Sequence, residues 1–570
     1  MISISILLVT IGVARMITLG CDGNILTAFD HLFLSCDAPG AYLLIMALLA
    51  GGYVASKIDN SLVDNTLSVV ERHPVQISGV VFCVISLGSF YIYYKYNGYL
   101  LSMDEFMPCF QARIFAEGKL WGQYPPELTP WLVRSGYFTV FSLETGRVVS
   151  EYWPGFALLL TPFMKAGAPW ILNPLISGAT IALLWYYTKK VFPDSDAPGW
   201  VLLLTVASPV FAANGISFYS MSAHLFFNLI YATLLLTLSS ARLFSAGIVG
   251  SFALVLHHPV PHLLFALPWI VWIGAQKGGI KKLGILFTGY LPLSLLIGLG
   301  WIFLKLFVEN GNLLLAIGRE AGALSSTPEA DGLVPPGENM ITFIFYKTAA
   351  LAGGILTIPD ADLLWVRLMG LLKLFVWAVP GLPILSFLGV RHIRRNRHLL
   401  LWGWAAISTL IGYIFVPFSQ GHGWGFRYFH STWLTLPLLA TAFLMSTPIN
   451  GKSWRRLVGT IAIVSLVFCL GFRFFQMNQF ISNGTEQRSS LKDGTSHLCF
   501  MAETYPYLYT YLMRNDPFLR NSNIYLQSLG FQKDRELMDT LFPGARKISF
   551  SESHSLWEIP FGVKGIRTVK

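Results

Sequence analysis

Residues Gln76 to Phe106 read QISGVVFCVISLGSFYIYYKYNGYLLSMDEF, and the two halves of this stretch decide how the rest of the chain is understood. As far as Tyr96 the only charge is Lys95. The run is long enough to cross a bilayer as a helix, which takes ~20 residues. Just beyond it, Leu101-Ser102-Met103-Asp104-Glu105-Phe106 places two acids where water, headgroups and protein meet. A carboxylate there is partly desolvated, which raises its pKa and suits it to act as a general base. Acids also simply mark where a helix leaves the membrane.

Composition enlarges the first half of that reading. Of 570 residues, 54% are apolar, 12% are charged and 17 are Trp, and the mean hydropathy is +0.57. These values describe an α-helical polytopic membrane protein. The net charge of +10 does not point to nucleic acid. Lys and Arg gather in short connections between apolar runs, and no aromatic-basic stretch reads as a nucleic-acid surface. The first run, Ile2 to Leu19, has no basic segment before it and is read as a retained helix, not a signal peptide.

Apolar runs of spanning or near-spanning length fall at about 2–19, 40–56, 76–96, 170–188, 199–214, 221–238, 243–257, 260–275, 283–307, 365–390, 399–417, 431–447 and 457–472, about thirteen in all. Alternate connections are basic, carrying Lys57 and Arg72, Lys189 and Lys190, Arg242, Lys277 to Lys282, Arg391 to Arg397, and Lys452 to Arg456. The short connections between them hold a single basic residue, Arg427. This asymmetry predicts a cytoplasmic-membrane protein with its amino terminus inside and the tail after Phe472 outside. Residues 1–75 then contribute two helices ahead of a transmembrane unit at 76–472, which carries outer loops at 97–169 and 308–364.

In the first outer loop, Tyr152-Trp153-Pro154-Gly155-Phe156 opens a run too short to span, expected to lie at the interface or to re-enter. The second, with Ser325-Ser326-Thr327-Pro328 and Val334-Pro335-Pro336-Gly337, has the length and composition of a lid or a disordered segment. The tail, 473–570, alternates strand-like pieces (523–529, 547–550, 555–559) with helical ones (505–514, 532–541), which predicts a small extracytoplasmic α/β domain. Cys21, Cys36, Cys109 and Cys499 all fall on the outer side and are disulfide candidates. Cys21–Cys36 would close a short loop, and Cys109–Cys499 would pin the first outer loop to the tail.

Residues able to carry chemistry collect on that same side. They are Asp104 and Glu105; Tyr219 and His224; His257, His258 and His262; and His422, Trp424, Arg427 and Tyr428. Arg427 opposes the charge rule, and a guanidinium near the membrane boundary calls for an anionic partner. A phosphate suits its bidentate fork, and a local acid such as Asp104 is the plainer partner. His258 and His262 lie four apart and are candidates for a divalent metal, for a phosphate contact or for purely structural roles. Pro259 and Pro261 stand against the regular helix that a zinc pair would need. Glycines around Trp424 would let backbone approach a ligand while the indole covered a sugar face.

These motifs, in this order and on one side, resemble the GT-C superfamily of polytopic glycosyltransferases, which includes protein O-mannosyltransferases and aminoarabinose transferases. The resemblance rests on the Asp104-Glu105 pair, the run Tyr152 to Leu160, Tyr219 to His224, Gly423 to Tyr428, and the outward tail. Two departures stand out: two extra helices precede the acidic pair, and His258-Pro259 stands where many bacterial relatives have Arg-Pro. The resemblance implies a sugar donor on polyprenyl phosphate and transfer to an acceptor hydroxyl of a lipid, glycan or protein, with inversion. Asp104 would be the base, supported or replaced by Glu105. Arg427, then His258 or His262, would stabilise the departing phosphate. No cofactor is required on this reading, and a divalent cation (Mg or Mn) is optional. A transporter or flippase for a lipid-linked sugar would use the same Arg and His without chemistry, and an oligosaccharide ligase is a third reading. Transporters more often show internal repeats and ionisable groups at mid-membrane, whereas no repeat is evident here.

Overall fold

In the computed structural model, the residues described are 2–19, 32–96, 98, 100, 102–134, 138–193, 195–311, 357–416, 422–446, 451–486, 496–502, 512–550 and 554–559. Helices dominate. Among the described residues, four are long and apolar enough to cross a membrane by length and composition: Ser35–Lys57, Pro74–Lys95, Gly279–Asn310 and Ser453–Ser482. A bent pair, Ala197–Val206 with Pro209–Ile216, makes a fifth candidate if counted as one span.

Fewer helices reach that length than the thirteen apolar runs read from sequence, and their interruptions show why. Four of those runs form helices of only twelve to fifteen residues: Met221–Leu234, Ser240–Leu254, Val260–Gly274 and Thr435–Ser446. The run at 365–390 splits into Ala361–Val376 and Leu382–Gly389. The break holds Pro380 and then Gly381, whose φ of +83° favours glycine. Apolarity alone does not see such interruptions. The 59° bend before Pro209 has the same origin. Ser208, pushed into extended backbone (φ −85°, ψ 117°) by the proline that follows, ends the first half. Its hydroxyl donates to the Leu204 carbonyl at 2.7 Å. The bend matters because the second half delivers Ser217-Phe218-Tyr219 to the candidate site.

Two large cores hold the chain. One joins the helices that follow Pro74 to Ile2–Leu19 and to the Ala38–Lys57 helix. The other gathers Met103–Ala116, Gly155–Lys165 and the turn near Leu256 with the tail. Within the first outer loop, β1 (Gly122–Gln123), β3 (Arg147–Ser150) and β2 (Thr139–Phe141) form an antiparallel sheet in that spatial order, which the polar sequence did not announce. The Gly155–Lys165 helix spans about 16 Å at 1.5 Å per residue, too short to cross ~30 Å of hydrocarbon.

The tail forms a four-stranded mixed sheet in the order β7 (Asn523–Gln527), β6 (Ser496–Met501), β9 (His554–Ile559), β8 (Arg546–Phe550). Strands β7 (Asn523–Gln527), β8 (Arg546–Phe550) and β9 (His554–Ile559) and the helix Phe531–Leu541 lie within two residues of the segments read from sequence. Strand β6 (Ser496–Met501), parallel to β7 and antiparallel to β9, went unread. The expected helix at 505–514 lies largely outside the described residues, as do 312–356 of the second outer loop.

The sheet docks on the first outer loop without a disulfide. Gln527 donates to the Pro130 and Val133 carbonyls at 2.6 and 2.8 Å, and Trp131 Nε1 donates to Asp534 at 2.9 Å. Cys109 and Cys499 share this core as free, buried thiols. The predicted covalent pin is therefore corrected: packing and hydrogen bonds do that work, and both cysteines behave as small hydrophobes. Cys36 is likewise a free thiol, and Cys21 lies outside the described residues.

Candidate active site

Asp104 sits in the first turn of the Met103–Ala116 helix, behind Ser102 in extended backbone (φ −145°, ψ 168°). Unpaired backbone N–H groups at that end favour negative charge. The side chain is 14% exposed and its oxygens are divided between two partners. Tyr152 Oη donates to Oδ1, and Arg427 Nη1 donates to Oδ2. His257 Nε2 stands 4.0 Å from Oδ1. The Tyr152 and His257 rings lie 4.1 Å apart.

Backbone pairing brings Tyr152 and His257 together. Trp153 N donates to the His257 carbonyl at 3.3 Å, and Gly155 and Phe156 donate to Val255 and Leu256, both at 2.8 Å. A Cβ on Gly155 would come within 2.6 Å of the Val255 carbonyl oxygen, so close approach demands glycine there. The Tyr-Trp-Pro-Gly-Phe motif is thus the edge that locks the first outer loop to the turn between two helices.

Arg427 follows a tight hairpin of β4 (His422–Gly423) and β5 (Gly425–Phe426), turned by Gly425 at φ +84°. Its guanidinium is 2% exposed and lies 4.6 Å over the Tyr219 ring. Tyr219 accepts a hydrogen bond from Ser102 Oγ at 3.0 Å. Asn173 Nδ2 holds the strand-like link before the Met221–Leu234 helix, donating to the Ser217 and Tyr219 carbonyls at 2.7 and 2.8 Å. Glu105 points to the same link and accepts from Phe218 N at 2.8 Å. Among the contacts seen, then, Asp104 faces the charge cluster and Glu105 shapes the loop beneath it.

Electrostatics reverses one expectation. Burial alone would push the Asp104 carboxyl up, but the charge of Arg427, then His257 and the Tyr152 hydrogen bond, outweigh it and hold the group below the ordinary carboxylate range. Asp104 is an ionised base-form carboxylate at neutral pH. Burial pushes the Tyr152 phenol well up, with Asp104 adding to it, so Tyr152 remains a donor. Burial also pushes His257 down, against the pull of Asp104, and takes His258 to about 4. Those imidazoles are neutral at physiological pH. The fixed positive charge facing Asp104 is that of Arg427.

The remaining residues divide. His262 is fully buried, with Nδ1 2.8 Å from Asn228 Oδ1 and Nε2 2.7 Å from Tyr290 Oη. Both ring nitrogens are engaged, which corrects its reading as a phosphate or metal ligand. His258 Nδ1 accepts from Val260 N at 3.4 Å, capping the following helix. His224 is fully buried one turn past Ser220. Trp424 is 1% exposed and packs 5.9 Å from both Trp377 and Phe480, so it anchors the hairpin and is not a platform for sugar. Tyr428 stacks on Tyr413 at 4.2 Å. His422 contributes its backbone to the hairpin, and its side chain lies outside what is described. Among the described residues no group of three or more His, Cys, Asp or Glu is placed to hold a metal. Both Asp104 oxygens face donors, from Tyr152 and Arg427.

Sequence reading missed Tyr152 as a site residue, although its motif stood out. It also missed a fully buried ion pair, Asp37–Lys373, beside the hairpin. The signal was present: Lys373 lies within an apolar run, where an ionisable residue deserves a partner.

With this geometry in view, the fold matches a solved one. ArnT from Cupriavidus metallidurans bound to undecaprenyl phosphate aligns over 85% of this chain and 97% of that one, with a TM-score of 0.52 and 12% sequence identity. Its apo state aligns over 84% and 97%, at 0.48 and 12%. No protein-family model matches this chain, and no curated protein matches its sequence. The chain shares its overall fold with that ArnT structure.

Proposed function

We propose that this protein is an integral-membrane glycosyltransferase that moves a sugar from a polyprenyl-phosphate donor to an acceptor hydroxyl on the extracytoplasmic face. The observation that carries the reading is the Asp104 carboxylate, ionised and gripped by Arg427 and Tyr152 just past the Pro74–Lys95 candidate span. The undecaprenyl phosphate bound to the ArnT neighbour supports a donor of that class. The basic connections support an inside amino terminus and an outside tail.

In the proposed step, Asp104 takes the proton of the acceptor hydroxyl while that oxygen attacks the anomeric carbon. The bond from that carbon to the phosphate oxygen breaks on the opposite face, which inverts the centre. The phosphate leaves with the electron pair. As Asp104 becomes neutral, Arg427 loses its counter-charge and is free to bind the departing phosphate, so one guanidinium serves both ends of the reaction. Tyr152 holds the carboxylate in place, and Glu105 holds the Phe218 link under Tyr219.

Purified protein in nanodiscs, given a panel of polyprenyl-phosphate sugars and hydroxyl acceptors, tests this by release of free polyprenyl phosphate. Release that depends on acceptor supports the transferase. Movement of the donor between leaflets with no release across the panel contradicts it and favours a flippase.

A further inference from the structure

The hairpin that presents Arg427 is held from behind by the amino-terminal segment. Asp37, in the π-helical turn Phe33–Asp37, pairs with Lys373 Nζ at 2.8 Å, and both side chains are fully buried. Its other oxygen accepts from Trp377 Nε1 at 2.5 Å. Both of these partners touch the hairpin, which Asn214 also holds by donating to the Trp424 carbonyl at 3.1 Å. Lys373 Nζ donates to the Gly423 carbonyl at 3.3 Å, and Trp377 packs against Trp424. Arg473 ties this turn to the end of the Ala361–Val376 helix, donating to the Cys36 and Val376 carbonyls, both at 2.7 Å, with its guanidinium 4.2 Å over Trp377. Gly423 in turn lies so near Arg427 that a Cβ there would sit 2.7 Å from Arg427 Cδ.

We propose that Asp37 is a positioning residue for the transfer site: through Lys373 and Trp377 it fixes the 422–426 hairpin and so aims Arg427 at Asp104. This rests on the transferase reading above, and it gives the segment before residue 76 a part in the site. A buried ion pair is a poor device for stability alone, because apolar residues of similar size often replace one without loss. What an apolar pair cannot supply is a directed donor to the Gly423 carbonyl.

Four proteins test the proposal: wild type, Asp37→Asn, Asp37→Glu, and the double variant Asp37→Leu/Lys373→Met, which removes both members of the pair. Amide hydrogen exchange over 422–428 and donor turnover per folded molecule are read together. In Asp37→Asn and in the double variant, hairpin exchange quickens. kcat falls about tenfold to a hundredfold, the range for a small misplacement of a reacting group, while donor KM moves far less. Asp37→Glu recovers part of the loss. A double variant with wild-type hairpin protection and wild-type kcat overturns the proposal. If wild type turns over no lipid-phosphate sugar, the transferase reading fails on its own, and the exchange data still decide the positioning: unchanged protection sinks it.

Discussion

Removing the Arg427 guanidinium separates the two roles assigned to it. In Arg427→Ala the Asp104 carboxylate stays largely buried but loses its counter-charge, and stranding one partner of a buried pair costs ~3–5 kcal/mol. The carboxyl relieves that by holding its proton. In wild type, Arg427 keeps Asp104 below the ordinary carboxylate range, so the base form persists as pH falls until that depressed pKa is reached. Stability from the pair has the same sign: it is present above the unfolded pKa of ~3.9 and lost as pH falls through the folded value. Without Arg427, burial acts unopposed and the pKa rises, with opposite charges of this kind worth ~1–3 units. The acid limb of kcat/KM for the free enzyme should move up by about that much. A second, pH-independent loss comes from the unassisted phosphate, about 10²–10³-fold for one missing oxyanion donor. Arg427→Lys keeps the charge but not the planar fork, and should shift the limb less than it lowers the plateau. The assay is polyprenyl phosphate release from pH 4 to 9 with folded protein at each point. An Arg427→Ala enzyme with an unmoved acid limb and a plateau within about threefold of wild type would refute both roles.

Other consequences are more local. Tyr152→Phe removes one hydrogen bond from Asp104 but leaves Arg427, so kcat should fall about tenfold, a loss of ~1.4 kcal/mol, and the limb should shift upward by less than in Arg427→Ala. Gly155→Ala pushes a methyl towards the Val255 carbonyl and should lower stability by ~1–3 kcal/mol, read as melting in detergent. Gln527→Ala strands the Pro130 and Val133 carbonyls at the seam between the sheet and the first outer loop, costing ~1–3 kcal/mol. Limited proteolysis should then cut the tail sooner while Asp104 chemistry is spared. Because the Asp104 oxygens already face donors, chelation by EDTA should leave turnover unchanged.

Much of the fold class could be read because apolarity is a property of long windows. The 76–96 run and the tail strands near 523 and 555 obey such local patterns. Helix interruption is also local but subtler, and the break at Pro380-Gly381 was hidden inside a uniformly apolar run. The site was legible as a set of residue types. It was not legible as partnerships, since Asp104 and Arg427 are 323 positions apart. Position at a membrane boundary suggests burial as the force on Asp104, whereas the partner's charge decides the sign. The same limit misassigned His262 and Trp424. Both are polar or aromatic residues beside a site, and only their neighbours, Asn228 with Tyr290 and Trp377 with Phe480, reveal that they belong to the core. Strand β6 pairs with β7 and β9 across 26 and more residues, so its edges carry little local signal.

The central claim is that Asp104 removes the acceptor's proton during sugar transfer. Its most direct test is a single-turnover experiment with labelled polyprenyl-phosphate sugar and saturating acceptor, comparing wild type with Asp104→Asn and measuring donor binding in parallel. The account predicts that the amide variant is folded, binds donor within a few-fold of wild type and transfers at least about 10²-fold more slowly, the lower end of what a positioned base contributes. Transfer by Asp104→Asn at the wild-type rate would contradict it.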